Sequence, residues 1–205
     1  WDMHVDEIMA NNLEENLAMI NDSVKYLKNN GRETVYDAEH FFDGYKNNRD
    51  YALQTIDAAI EGGADFVVLC DTNGGTLPFE IESIVKDLQQ NLAAKDFSNS
   101  NKAPVKLGIH THNDCGLAVA NSITAVQAGT VMVQGTINGY GERCGNADLN
   151  AIMPILNLKM NRPCISDKNL SKLKTLSRYV SEMANQVPIN NRPFVGKSAF
   201  AHKGG

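Results

Sequence analysis

The sequence predicts an α/β protein: a partial TIM (β/α)8 barrel holding about the last four strand-helix units and one extra C-terminal helix. Three observations lead there. Short apolar runs alternate with amphipathic segments at intervals of roughly 25 to 40 residues, the rhythm of parallel strand-helix units. The run Phe66-Val67-Val68-Leu69 is continuously apolar, as expected of a parallel strand covered on both faces. Residues with chemical potential follow the ends of all four strands: Glu39, Thr72, His110 with His112, and Asn146. A doubly wound sheet concentrates its site at one switch point, whereas a barrel rings it. A closed barrel needs about 250 residues and eight strands. Half of it is therefore absent from these 205 residues or supplied elsewhere.

The elements follow in order. Leu13, Leu17, Ile20, Val24 and Leu27 recur at steps of four and three, giving one apolar stripe that Gly31 stops. Glu33 to Asp37 is short and β-leaning. Tyr51 to Ile60 has helical spacing and ends at Gly62-Gly63, before the strand Asp65 to Cys70. Pro78 sits near a helix start, leading into Ile81, Ile84, Val85, Leu88 and Leu92. Residues 93–104 are polar and read as an exposed loop opposite the chemistry. Strand Val105 to Ile109 and an Ala-rich helix, Gly116 to Ala128, come next. Val131-Met132-Val133 begins a fourth strand, and Ala147 to Leu156 another helix. A last helix, Asp167 to Gln186, carries a seam of Leu170, Leu173, Leu176, Val180, Met183 and Val187. Residues 1–165 are expected to form the C-terminal half of a barrel, and 166–205 a post-barrel helix with the start of a linker.

Composition narrows the function classes. A net charge of -5 argues against nucleic acid as a main partner. No stretch approaches 18 uninterrupted apolar residues, so no membrane span is expected. The N-terminus has no signal-type run and no initiator Met, which suggests an internal segment of a cytoplasmic protein. Cys70, Cys115, Cys144 and Cys164 form no Cys-x-x-Cys pair and read as reduced thiols, two of them buried in or beside strands.

His110-Thr111-His112-Asn113-Asp114 is the strongest local signal. Side chains two apart in a strand share a face, so the two imidazoles can point at one ion while Thr111 points away. The alternative is a pair of strand-end residues bonding locally. Imidazole suits zinc, iron or manganese, and added oxygen ligands bring in magnesium. Asn146 is a candidate oxygen ligand, or else the N-cap of a helix starting at Ala147. Asn113 and Asp114 orient an imidazole or cap the following helix. Gly139, Gly141 and Gly145 do not make a dinucleotide fingerprint. They suit a tight loop whose amides face a cofactor anion, with Arg143 adding positive charge. Glu142 either orients Arg143 or contacts the metal shell, and a simple turn with a surface ion pair is the plainer reading. Asp71 to Thr76 ends the second strand, where Thr72 can donate to a substrate carboxylate and Asp71 can anchor the loop. Glu39 brings an acid to the same rim and can orient an attacking group. His40 reads as a loop residue, and Phe41 and Phe42 as packing.

Leu69-Cys70-Asp71-Thr72-Asn73-Gly74, His110 to Asp114, and Gly139-Tyr140-Gly141-Glu142-Arg143-Cys144-Gly145-Asn146 resemble motifs of metal-dependent acyltransferases and lyases built on a TIM barrel. That group includes 2-isopropylmalate, homocitrate and citramalate synthases and the hydroxymethylglutaryl-CoA lyases. Tyr36 to Gly44 and Ala199 to Gly205 look most like the citramalate synthase branch. The resemblance implies a divalent metal (Mn, Mg or Zn) on His110 and His112, supported by Asn146, and acetyl-CoA as co-substrate. It implies oxo-acid contact for Thr72, a rim role for Glu39, and condensation of acetyl-CoA with a 2-oxo acid followed by thioester hydrolysis. Pyruvate as acceptor would give citramalate, and a branched acceptor isopropylmalate. A lyase running similar chemistry backward, and an inert oligomerising half-barrel, are the rival readings.

The family's first strand carries an Arg-Asp pair, the Asp binding metal, and no such strand is found here. The chain is therefore expected to begin after the third barrel strand, to bind metal weakly and to be inactive alone. Its outer strands would expose unpaired edges, so a homo-oligomer, a dimer first, is expected.

Overall fold

A computed structural model describes residues 1–95 and 105–202. Residues 96–104, most of the polar loop expected at 93–104, lie outside the described residues. The chain divides into two compact units, Trp1–Gln134 and Gly135–Gly205.

The first unit opens with a π-helical turn at His4–Ile8, which the sequence pattern does not announce. Helix α1, Leu13–Asn29, starts at Asn12, whose side chain accepts the Glu15 N–H and satisfies one of the helix's unpaired first-turn donors. Strand β1 is Val35–Ala38, two residues later at its start than the pattern suggests. It leads into α2, Phe41–Asn47, a short helix missing from the sequence reading. Phe41 and Phe42 are packing residues, as expected, and stand edge to face in the core. Helix α3, Arg49–Gly62, precedes β2, Phe66–Asp71. Helix α4, Pro78–Ala94, has proline in its first turn, and the Glu80 carboxylate reaches back to the Leu77 N–H. Strand β3, Lys106–Thr111, runs far enough to include His110. Helix α5, Ala118–Ala128, and β4, Met132–Gln134, complete the unit.

The four strands are parallel in the order β1-β2-β3-β4. Val67, Leu69, Leu107 and Ile109 sit in the core against the helices. The other face carries Asp37, Val68, Cys70, Gly108, His110, Met132 and Gln134, which alternate with the core set. Gln134 Nε2 donates to Asp37 Oδ1 at 2.9 Å. In a flat sheet three strand spacings would separate them by about 14 Å. The sheet therefore curls with this face concave, as a barrel segment must.

The second unit begins with a 3-10 turn, Ile137–Gly139, and an isolated bridge between Thr136 and Asp148. Helix α6, Leu149–Pro154, passes into a π-helical turn, Ile155–Lys159. Its N-cap is Asp148, whose carboxylate accepts the Asn150 N–H, and not Asn146 as the sequence allowed. The long final helix expected from Asp167 is two pieces, α7, Asp167–Leu170, and α8, Leu173–Met183. Among the described residues no helix is long and apolar enough to cross a membrane. Of the four thiols only Cys70 is buried, so the expectation of two buried cysteines fails.

Candidate functional site

Strand ends of the first unit place Glu39, Thr72, His110 and His112 on the concave rim. His110 and His112 lie two apart at the end of β3, so their rings share a face. Their Nε2 atoms are 3.4 Å apart. Two imidazole nitrogens each about 2.1 Å from one ion in tetrahedral geometry stand about 3.4 Å apart. The residues present therefore fit two adjacent positions on a divalent cation. The same separation suits a ring-to-ring hydrogen bond, the local alternative. Among the described residues no group of three or more His, Cys, Asp or Glu side chains is placed to hold a metal.

His110 Nδ1 lies 2.8 Å from Gln134 Oε1, and the Gln134 amide is held in turn by Asp37. Neither Gln134 nor Asp37 stands out in the sequence as a site residue. Gln134 is the direct register partner of His110 across the β3–β4 ladder. A strand-end polar residue one unit beyond the histidines was the available signal.

Glu39 and Thr72 meet at the ends of β1 and β2. The Thr72 hydroxyl donates to Glu39 Oε2 at 2.8 Å and accepts the His40 backbone N–H at 2.8 Å. His40 holds a left-handed backbone, φ 54°, and its ring stacks on His4 at 4.1 Å. Burial, and then the neighbouring His4, push the His40 imidazole below its ordinary pKa. Burial pushes the Cys70 thiol up, helped by the carboxylates of Glu39 and Asp37, so it stays protonated.

Asp71 and Thr111 hold the loops from the helix-facing side. The buried Asp71 carboxylate accepts from the Thr76 hydroxyl at 2.8 Å and from the Thr76 N–H. Burial raises its pKa, and the Thr76 bonds oppose that rise. It is a loop anchor. Asn113 Oδ1 accepts the Ala118 N–H at the start of α5, the capping role weighed for it. Cys115, beside it, is exposed.

In the second unit, Gly139, Gly141, Gly145 and Asn146 form one tight turn. A Cβ on Gly145 would fall 2.0 Å from the Gly139 carbonyl oxygen, and one on Gly141 1.9 Å from Asn146 Nδ2. Only glycine fits at 145, where φ is +93° and the obstacle is backbone; at 141 a side chain would have to displace the Asn146 amide. Asn146 Oδ1 is buried with no hydrogen-bond partner. Glu142 and Arg143 are exposed, and Arg143 adopts a left-handed φ of 55°. Asn138, buried at φ 68°, ties the turn to α8 through the Ser177 carbonyl at 2.9 Å and the Ser181 hydroxyl at 3.1 Å.

Comparison with known proteins agrees with this architecture. Residues 2–180 match the HMGL-like family. The (R)-citramalate synthase of Geobacter sulfurreducens is 56% identical over 205 residues, covering 100% of this chain and 37% of that protein. The 2-isopropylmalate synthase of Yersinia enterocolitica is 34% identical over 204 residues, covering 99% of this chain and 37% of that protein. In the crystal structure of the Bacillus subtilis HMG-CoA lyase, 94% of this chain superposes on 63% of that one, with a TM-score of 0.70 at 21% identity. The chain thus spans about 37% of the length of the curated synthases it matches. With four parallel strand-helix units, a concave rim and a family match over most of its length, this chain belongs to the HMGL-like family.

Proposed function

We propose that the protein is a C-acyltransferase that condenses acetyl-CoA with a 2-oxo acid, pyruvate giving citramalate. In this reading, 1–165 form half of the catalytic barrel and 166–205 a post-barrel segment. The observation that carries it is the convergence of His110 and His112 at 3.4 Å on the concave rim. The 56% identity to a citramalate synthase supports pyruvate over a branched acceptor.

His110 and His112 would hold a divalent cation, and Asn146 is proposed as an oxygen donor from its motif alone. Bound there, the cation would supply Lewis-acid polarisation of the keto oxygen. The chain's own residues supply the rest. Thr72 is proposed to contact the oxo acid. Its proton is directed to Glu39 Oε2, so donation to a substrate carboxylate requires the hydroxyl to rotate off Glu39. That rotation leaves Glu39 free of one bond and able to orient the acetyl methyl or the attacking group. Arg143 and the amides of the Gly139 to Gly145 turn are proposed for the anionic part of the cofactor, with Glu142 orienting Arg143. A protein of this type would work as a homodimer.

The test is a product assay on the full-length gene product, with acetyl-CoA, Mn2+ and either pyruvate or 2-oxoisovalerate. Pyruvate-dependent release of CoA with citramalate formed is the expected result. Release only with 2-oxoisovalerate would place the protein with the isopropylmalate synthases. Cleavage of hydroxymethylglutaryl-CoA without condensation would make it a lyase. Replacing both His110 and His112 with Ala should abolish saturable Mn2+ binding.

A further inference from the structure

We propose that Gln134 is a positioning residue: anchored by Asp37, its amide oxygen holds His110 in the tautomer that turns the Nε2 lone pair toward His112. The inference rests on the reading of this histidine pair as metal ligands. It begins from a group that cannot donate. An ionised carboxylate only accepts hydrogen bonds, and Asp37 Oδ1 takes one from Gln134 Nε2 at 2.9 Å. The nitrogen of the amide is thereby committed to Asp37. Its oxygen must face the other way, and Oε1 lies 2.8 Å from His110 Nδ1. Two acceptors would repel at that distance, so Nδ1 carries the proton.

Nε2 of His110 is then the unprotonated nitrogen, and it is the atom 3.4 Å from His112 Nε2. A divalent ion binds imidazole only through such a lone pair. A side chain on β1 thus selects the donor atom on β3 by fixing an amide on β4. Metal-bound imidazoles generally donate their other N–H to an outer partner, which orients the ring. Here that partner is neutral, and its own orientation is enforced by a carboxylate one bond further out.

The sheet makes the relay rigid. Gln134 sits in direct register with His110, so its side chain rises beside the ring on the same face. Asp37 arrives from the opposite edge of the sheet by curvature alone. Reversing the amide would offer Nε2–H to His110 Nδ1. The imidazole proton would then move to Nε2, and the lone pair would point at Gln134 instead of at His112.

Imidazole 15N spectra of the metal-free full-length protein test this directly, labelled at histidine and recorded about two pH units above the ordinary imidazole pKa of about 6.5. The His110 signal is assigned by its loss in His110→Gln. The expected result is an Nδ1–H tautomer in the wild type and in the double variant Gln134→Glu with Asp37→Asn, which keeps an acceptor for His110 and restores a donor facing it from position 37. Gln134→Leu and Asp37→Leu should lose that preference. Zn2+ affinity, measured against a chromogenic chelator, should fall about tenfold or more in Gln134→Leu and recover in the double variant Gln134→Glu with Asp37→Asn. A proton on Nε2 in the wild type, or an unchanged tautomer in Gln134→Leu, overturns the proposal. An Nδ1–H tautomer in a protein that binds no Zn2+ would instead sink the metal reading and leave the positioning role standing.

Discussion

Gln134 donates to Asp37 across the sheet, from the last strand to the first, at 2.9 Å. No backbone ladder joins those strands, so the contact exists only because the sheet is curved. Its strength should be measurable as a coupling. In a double-mutant cycle with Asp37→Ala and Gln134→Ala, the interaction energy from urea unfolding should be about 1 kcal/mol, a typical net hydrogen bond. A value indistinguishable from zero would mean that the curl is set by the helices alone.

That contact also marks where the sequence stopped being legible. His110 and His112 could be paired on paper because a strand's period of two is local. Asp37 and Gln134 are 97 residues apart, and no periodicity links them. Curvature does, and curvature is a property of the assembled units. Helix α2 escaped notice because its seven residues, with a glycine among them, are too few to show a repeat. The start of α6 was misplaced because Asn146 and Asp148 are both good caps, and the backbone chose the second. The break between α7 and α8 was hidden by Leu170 and Leu173, which keep the apolar spacing across it. Strand β2 was readable because burial on both faces leaves a long apolar signature, whereas β1 and β4 are short and partly exposed.

Gly74 and Gly75 are neighbours with opposite expectations. Gly74 has a φ of +63°, and a Cβ there would stand 2.6 Å from Asp114 Oδ2 and 2.8 Å from the Asp114 nitrogen. It lets the loops after β2 and β3 touch, with Cys115 N–H donating to its carbonyl. A Cβ on Gly75 meets nothing within 4 Å. Gly74→Ala should cost about 2 kcal/mol or more, lowering Tm by roughly 4–8 °C. Gly75→Ala should change stability by less than about 0.5 kcal/mol. Equal effects in the two scans would mean that the loops do not need this close approach.

Asp65 should give the protein a distinct acid response. Its carboxylate holds Lys28 Nζ at 2.7 and 2.8 Å and accepts the Thr34 N–H at 2.7 Å. The Lys28 bond first, and then the Thr34 N–H, hold its pKa below the ordinary carboxylate value. Between the lowered folded value and the ordinary one of about 3.9, the unfolded chain binds the extra proton. The contribution is therefore complete above about pH 4 and lost as pH falls toward the folded value. Both side chains are about a third exposed, so the effect is small and weakened by salt. Asp65→Asn should be less stable than wild type at neutral pH, with the difference closing on acidification. A gap that stays constant with pH would show that the carboxylate's charge contributes nothing.

Asn138 links the glycine turn to α8, and its conformation can be separated from its bonds. Its φ of 68° is one that glycine adopts freely, so Asn138→Gly keeps the backbone and removes the side chain. The amide oxygen accepts from Asn150 Nδ2 at 2.8 Å and from the Ser177 hydroxyl at 2.6 Å. Its nitrogen donates to the Ser177 carbonyl and the Ser181 hydroxyl. Asn150 is fully buried, so losing its acceptor leaves a donor without water or partner. Each such group costs about 1–3 kcal/mol. Asn138→Gly should therefore lose about 2–4 kcal/mol, counting the Asn150 amide and the Ser177 hydroxyl, while the Ser177 carbonyl keeps the Ser181 hydroxyl. Amide hydrogen exchange should quicken across Gly139 to Asn146 more than across α1, which lies in the other unit. If the turn keeps its protection while global stability falls, α8 supports the unit without holding the turn in place.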